Sequence, residues 1–196
     1  MKMIDLEINS STALKREGKS FYWASFFLPK NSKKKAGTLY SICRYFDDIA
    51  DKHSDDQTIY LKNSIEEIRT NKNNKVNIFL QKNEINNLIF IDLIEGLILD
   101  QKKTRIQNKE ELIKYSYHVA GTVGLMMSKI IGVKHEMAAR SAIDLGIGMQ
   151  LTNIARDVYE DSKMKRIYLP ANLIPDISLK NLTDLHNKSR EKDERI

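Results

Sequence analysis

Two stretches of this sequence stack carboxylates at helical spacing. In "CRYFDDIADK", Asp47 and Asp51 stand four residues apart, with Asp48 beside them and Arg44 one turn earlier. In "QLTNIARDVYED", Asn153, Asp157 and Asp161 follow one another at four-residue steps, with Gln150 further back on that side and Arg156 and Glu160 flanking the row. Residues four apart share one face of a helix, so like charges placed there repel. Both clusters fall near the C-terminal ends of predicted helices, where the macrodipole disfavours a carboxylate by about 0.3–1 kcal/mol. A divalent cation between the rows would offset both costs.

The ligands on offer are carboxylates and one amide, all oxygen. They suit Mg²⁺, with Mn²⁺ as a substitute, or Ca²⁺, and not zinc or copper. Mg²⁺ keeps several waters and is held by one or two carboxylates together with substrate phosphates. Arg44, Arg156, Lys163, Lys165 and Arg166 lie at the same helix ends, placed to hold the phosphate oxygens that the metal leaves uncovered. The pattern therefore points to Mg²⁺ and a diphosphate. One such row alone is ordinarily a solvated face; two, one of them with an asparagine in register, are more specific. The 12-residue loop of an EF-hand is missing, as is the Glu-x-x-His pair of a di-iron bundle. His53, His118, His135 and His186 are scattered and read as surface or core residues.

Long helices must carry these rows. Periodicity predicts helices over about 10–27, 33–52, 56–71, 84–100, 109–131, 135–162 and 179–193. Asn31 and Ser32 are candidate caps after Pro29, "TNKNNKVN" reads as an Asn-rich loop, and the two prolines of "RIYLPANLIPD" should end the helix before them. No alternating strand pattern and no internal repeat stands out. The expected fold class is all-α, one domain over residues 1–196.

Composition agrees. Of 196 residues 41% are hydrophobic and 30% charged, with only 8 glycines and 3 prolines to break helices. Nothing approaches the length of apolar chain that crosses a bilayer. The start, "MKMIDLEINSS", lacks the apolar centre of a signal peptide, which points to the cytoplasm. Cys43 stands alone, so neither an internal disulfide nor a cysteine zinc site is available. The net charge of +6 suits an anionic partner. Without zinc-finger spacing or an aromatic-interleaved basic strand, no nucleic-acid partner is expected.

Behind the second acidic row the same helix side runs back through Gly146 and Ala142, with shrinking side chains. The preceding helix offers Val119, Ala120, Gly121, Val123 and Gly124. Glycines inside a helix either allow close packing or leave room for an apolar ligand. In "SFYWASFFLP", Phe21 and Tyr22 are candidates for a tunnel mouth, the other rings for core.

The blocks "GKSFYWASFFLP", "YSICRYFDDIAD", "YSYHVAGTVGLMM" and "AIDLGIGMQLTNIARDVYED…RIYLP" resemble the squalene/phytoene synthase family, in order from about Ser20 to Pro170. The resemblance implies the isoprenoid synthase helical bundle, its two acidic rows facing each other across a central cavity. Asp47, Asp48 and Asp51 would match the first acidic motif, and Asn153, Asp157 and Asp161 the second, all as Mg²⁺ ligands. Arg44, Gln150, Arg156 and Tyr168 would steady the diphosphates. Ser20, Phe21 and Tyr115 would border the substrate pocket, with Val119, Ala120, Val123 and Gly124 along its wall.

The implied reaction joins two prenyl diphosphates head to head through a cyclopropyl diphosphate. Two geranylgeranyl diphosphates would give phytoene; a squalene-forming branch would use farnesyl diphosphate, with NADPH as reductant. The look of the first two blocks favours the phytoene-type reading. Substrates and products of this kind make peripheral membrane contact plausible. Family members continue for several helices beyond the "YLP" block, so these 196 residues should leave apolar surface uncovered. Two other classes stay open on the residues alone: a prenyl-lipid-binding bundle without turnover, and a helical interaction domain whose acidic rows are solvated.

Overall fold

The computed structural model describes residues 19–52, 54–102 and 105–182. The predicted helical segment at 10–18, most of that at 179–193, His53 and His186 lie outside the described residues; residues 179–182 are helical. The chain runs α1 (Lys19–Ala24), a 3-10 turn (Ser25–Phe27), α2 (Lys30–Ala50), α3 (Asp55–Thr70), α4 (Lys75–Lys82), α5 (Asn87–Lys102), α6 (Lys109–Ser116), a π-helical turn (Tyr117–Gly121), α7 (Thr122–Ile130), α8 (Glu136–Arg156) and α9 (Val158–Lys163). Among the described residues the fold is all-α, with one isolated parallel bridge, Arg105 to Ile167.

Local chemistry sets the helix starts. Ser54, Asn74 and Asn108 accept backbone N–H bonds three residues on, from Gln57, Asn77 and Glu111. Glu111 also turns back to accept the N–H of Gln107 at 2.9 Å, so two orphan donors are satisfied together. Asn31 and Ser32 do not cap α2, contrary to the sequence reading. The helix opens directly after Pro29, whose ring presets the entry angle, and both residues lie in its first turn.

One predicted loop and two predicted helices are revised. Asn74 caps a helix inside the segment read as a loop: Val76 and Leu80 of α4 are buried, and Asn77 donates to Ile68 O and Asn71 O. The span 109–131 contains a π turn, and the span 135–162 breaks at Asp157 (φ −101°, ψ 19°).

The core gathers Leu39, Ile42 and Phe46 of α2, Leu61, Ile65 and Ile68 of α3, and Met126 of α7 around α5. Phe90, Ile91, Leu93, Ile94, Leu97 and Ile98 make α5 apolar on nearly every side, as a central helix must be. A second, smaller cluster of Ile106, Ile154 and Tyr168 joins the loop before α6 to α8 and to the segment after α9.

Helices α7 and α8 meet backbone to backbone. A Cβ on Gly124 would stand 2.2 Å from Ala142 O, and one on Gly146 would stand 2.4 Å from Ala120 O. Close packing therefore accounts for Gly124 and Gly146. Val119 and Val123 pack on the main core, whereas Tyr115, before the π turn, packs on the smaller cluster. The wide turn between them changes the phase of the helix so that both contacts are made.

Candidate active site

The first row ends α2. Asp47 and Asp48 fill its last turn, and Asp51 is the C-terminal cap residue, its N–H donating to Asp47 O. Arg44 straddles the pair, with Nη1 2.9 Å from Asp47 Oδ2 and Nη2 2.8 Å from Asp48 Oδ1. Burial, then the Asp51 charge, pushes the Asp47 carboxyl up to about 6, against a smaller opposing pull from Arg44.

The second row survives the break between α8 and α9. Asp157 N–H donates to Asn153 O and Asp161 N–H to Asp157 O, both at 2.8 Å, so the three residues remain one turn apart. Arg156 grips Asp157 with two bonds of 2.6 and 2.5 Å, which lowers that carboxyl's pKa. Burial and the Asp157 charge push Asp161 up to about 6. Gln150 and Asn153 are half-buried on α8 just before this row.

Arg166 joins the two rows. At the end of α9, Lys165 takes a left-handed conformation (φ 61°), Arg166 N–H bonds Asp161 O, and Lys165 N–H bonds Ser162 O. This closure of the helix turns the chain back beneath Asp161. The segment is then pinned: Ile106 N–H donates to Ile167 O, and Ala171 N–H to Ile106 O, each at 3.0 Å. Arg166 is thereby carried inward and buried, with Nη1 and Nη2 each 3.3 Å from Asp51 Oδ1 and Nη1 3.4 Å from Asp100 Oδ2. Its charge also opposes the rise of Asp47 and of Asp161.

Beyond Arg166, the Tyr168 hydroxyl lies 2.9 Å from both oxygens of Asp100. Its ring stacks on Tyr115 at 4.9 Å between centroids and 14° between planes. Burial raises the pKa of both tyrosines, followed by the Asp100 charge for Tyr115 and by Tyr115 and then Asp100 for Tyr168. A cleft of about 160 Å³ opens beside Asp100, Tyr115 and Tyr168, with Leu99 and His118 on its wall.

Sequence reasoning selected Arg44, Asp47, Asp51, Asp161 and Tyr168, which the fold brings together, but it missed Asp100. It also counted Arg166 only as one of several nearby cations. A carboxylate closing the apolar run "GLILD" was the available signal for Asp100.

The remaining predicted residues sit further out. Phe21 is half exposed and touches Tyr40 at 6.3 Å between centroids. Ser20 is helical, its side chain outside the described residues. The described residues do not enclose a wide apolar tunnel. On α8, Leu145 and Met149 face outward, and Trp23 and Phe27 are likewise uncovered.

The carboxylates are turned toward arginines, and among the described residues no three acidic, histidine or cysteine side chains form a ready metal cage. The donor set still fits Mg²⁺. It is all oxygen, burial first and a neighbouring carboxylate second hold two of its carboxyls high, and Mg²⁺ needs only one or two carboxylates at a time.

The two acidic rows are carried on an all-α fold of the isoprenoid-synthase helical type, the fold of the solved structures that it superposes on. The squalene/phytoene synthase family model matches residues 14–193, and the chain belongs to that family. It is 31% identical to the 15-cis-phytoene synthase of Enterobacter agglomerans over 194 residues, covering 87% of this chain and 64% of that protein. With the phytoene synthase of Thermus thermophilus it shares 34% over 172 residues, 82% of this chain and 58% of the relative. A crystal structure of a dehydrosqualene synthase with ligand superposes with TM-score 0.74 at 31% identity, covering 83% of this chain and 60% of that one. A squalene synthase from Alicyclobacillus acidocaldarius superposes with TM-score 0.76 at 22% identity, covering 88% and 71%, a likeness of fold. The chain thus spans less than two thirds of the curated relatives it matches.

Proposed function

We propose that this chain carries the diphosphate-handling half of a Mg²⁺-dependent prenyltransferase that joins two prenyl diphosphates head to head. The observation that carries the reading is the convergence of both acidic rows on Arg166, in a chain 31% identical to a phytoene synthase.

Asp47, Asp48 and Asp51 on one side, and Asn153, Asp157 and Asp161 on the other, are the residues that would hold Mg²⁺. When bound, Mg²⁺ supplies Lewis-acid stabilisation of the departing diphosphate. Arg44, Arg156 and Arg166 donate hydrogen bonds to the phosphate oxygens and take up charge as the C–O bond breaks. The electron pair leaves with the diphosphate, and the double bond of the second substrate attacks the allylic cation. Proton loss closes the cyclopropane ring. Gln150 orients the diphosphate, and Tyr168 acts through Asp100, to which its hydroxyl donates. Tyr115, with Leu99 and His118, lines the cleft beside Asp100 and Tyr168 and would keep water from the cations there.

Two geranylgeranyl diphosphates, giving phytoene for carotenoid synthesis, fit the named relatives. A second reading, farnesyl diphosphate in a squalene-type branch with or without NADPH, draws on the likeness to a dehydrosqualene synthase. Product analysis after feeding each donor, with and without NADPH, decides between them. No prenyl product from either donor would reject both.

The proposed setting is the cytoplasm with peripheral membrane contact. No helix of the described residues is long and apolar enough to cross a membrane. Trp23, Phe26 and Phe27 are exposed, and Lys33 Nζ stands 3.6 Å from the centroid of the Phe26 ring, a combination suited to an anionic bilayer surface. Co-sedimentation with anionic but not neutral vesicles checks this.

A further inference from the structure

Asp100 is an acid in an apolar setting. It closes α5, whose buried residues include Leu93, Ile94, Leu97 and Ile98, and its side chain is nine-tenths buried. The sequence motifs that mark the acidic rows do not include it. Its carboxylate accepts from Tyr168 Oη with both oxygens at 2.9 Å and stands 3.4 Å from Arg166 Nη1. The same guanidinium meets Asp51 at 3.3 Å. Arg166 is therefore shared between a deep carboxylate and a shallow one, for the Asp51 side chain is 42% exposed and that of Asp100 only 10%.

This inequality has a consequence when a cation claims Asp51. A buried guanidinium that loses its carboxylate incurs a large desolvation penalty, and so resists the exchange. Arg166 does not lose its only charge partner of the two, because Asp100 stays with it. Tyr168 holds the Asp100 carboxylate in place from the other side, and the stack on Tyr115 holds Tyr168. The guanidinium can then release Asp51 without leaving the site, its freed N–H groups directed at whatever anion accompanies the cation.

Resting on the proposed Mg²⁺–diphosphate reading, we infer that Asp100 is a positioning residue: it retains Arg166 when Mg²⁺ takes Asp51, so that one arginine serves first as counter-ion to the acidic row and then as donor to the diphosphate. Nothing in this role requires Asp100 to touch substrate or metal.

The test is Mg²⁺ binding measured by titration calorimetry on the full chain, alone and with inorganic diphosphate, which needs no turnover. Asp100→Asn keeps the shape and an acceptor for Tyr168 but leaves Arg166 with Asp51 alone of the two carboxylates. Its Mg²⁺ affinity should fall about tenfold, in the range of a typical coupling between sites. Parental Mg²⁺ affinity in a folded Asp100→Asn protein, whatever its melting temperature, would overturn the inference and leave the functional reading intact. A parent that binds no Mg²⁺ would overturn both.

Should Asp100→Asn fail to fold, Arg166→Gln decides. With Asp51 released from its competitor, Mg²⁺ alone should bind at least as tightly as in the parent, and diphosphate should bind the Mg²⁺-loaded protein about tenfold more weakly. Weaker binding of Mg²⁺ alone to Arg166→Gln would overturn the inference.

Discussion

Arg166 meets Asp51 across 115 residues of chain, both of its terminal nitrogens 3.3 Å from one carboxylate oxygen. That contact ties the end of α2 to the segment after α9, whose Arg166 N–H bonds Asp161 O.

The proposed function has the acidic rows serve a ligand at some cost to the fold. Asp47→Ala and Asp157→Ala are therefore expected to abolish Mg²⁺-dependent diphosphate release while changing the metal-free melting temperature by no more than a degree or two, on the order of 0.5 kcal/mol. A fall of several degrees in either variant, measured in EDTA, would make that carboxylate structural.

The pH dependence of stability follows from the raised carboxyls. Asp47 and Asp161 stand near 6 in the folded chain, above the ordinary 3.8. Such groups contribute stability that is complete below the unfolded value and lost as pH rises through the folded one. In EDTA the melting temperature should therefore fall between about pH 4 and pH 7, and Mg²⁺ should restore it most at the upper end. A metal-free melting temperature that rises over this range would contradict the assignment.

How much of this was legible in the sequence depends on distance along the chain. The rows themselves were, because four-residue spacing is a local property of a helix and Asp157 keeps its bond to Asn153 even where α8 ends. Helix α4 was not, because Asn74 and Asn77 read as loop residues until their side chains are seen capping α4 and holding the end of α3. The break at Asp157 carries no proline or glycine. The role of Arg166 depends on a left-handed Lys165 and on pairing with Ile106, neither of which leaves a periodic trace. Asp100 was hidden for the same reason: its partners come from a segment more than sixty residues away.

Tyr168 should matter for stability as well as for the site. Tyr168→Phe removes the hydroxyl that satisfies buried Asp100 and is expected to cost about 1–3 kcal/mol, read from urea unfolding. An unchanged midpoint would mean that Asp100 finds another donor.

The contact between α7 and α8 admits no added methyl. Gly124→Ala should destabilise by about 1–3 kcal/mol, because the new Cβ meets the carbonyl oxygen of Ala142, part of a backbone and not a movable side chain. Thermal unfolding checks it, and a neutral result would show that the two helices part at little cost.

The most direct measurement is diphosphate release from geranylgeranyl diphosphate by the full chain, followed in Mg²⁺ and again in EDTA. The account predicts release that requires Mg²⁺ and disappears in Asp51→Asn. Release of equal rate in EDTA, or undiminished in Asp51→Asn, would contradict it.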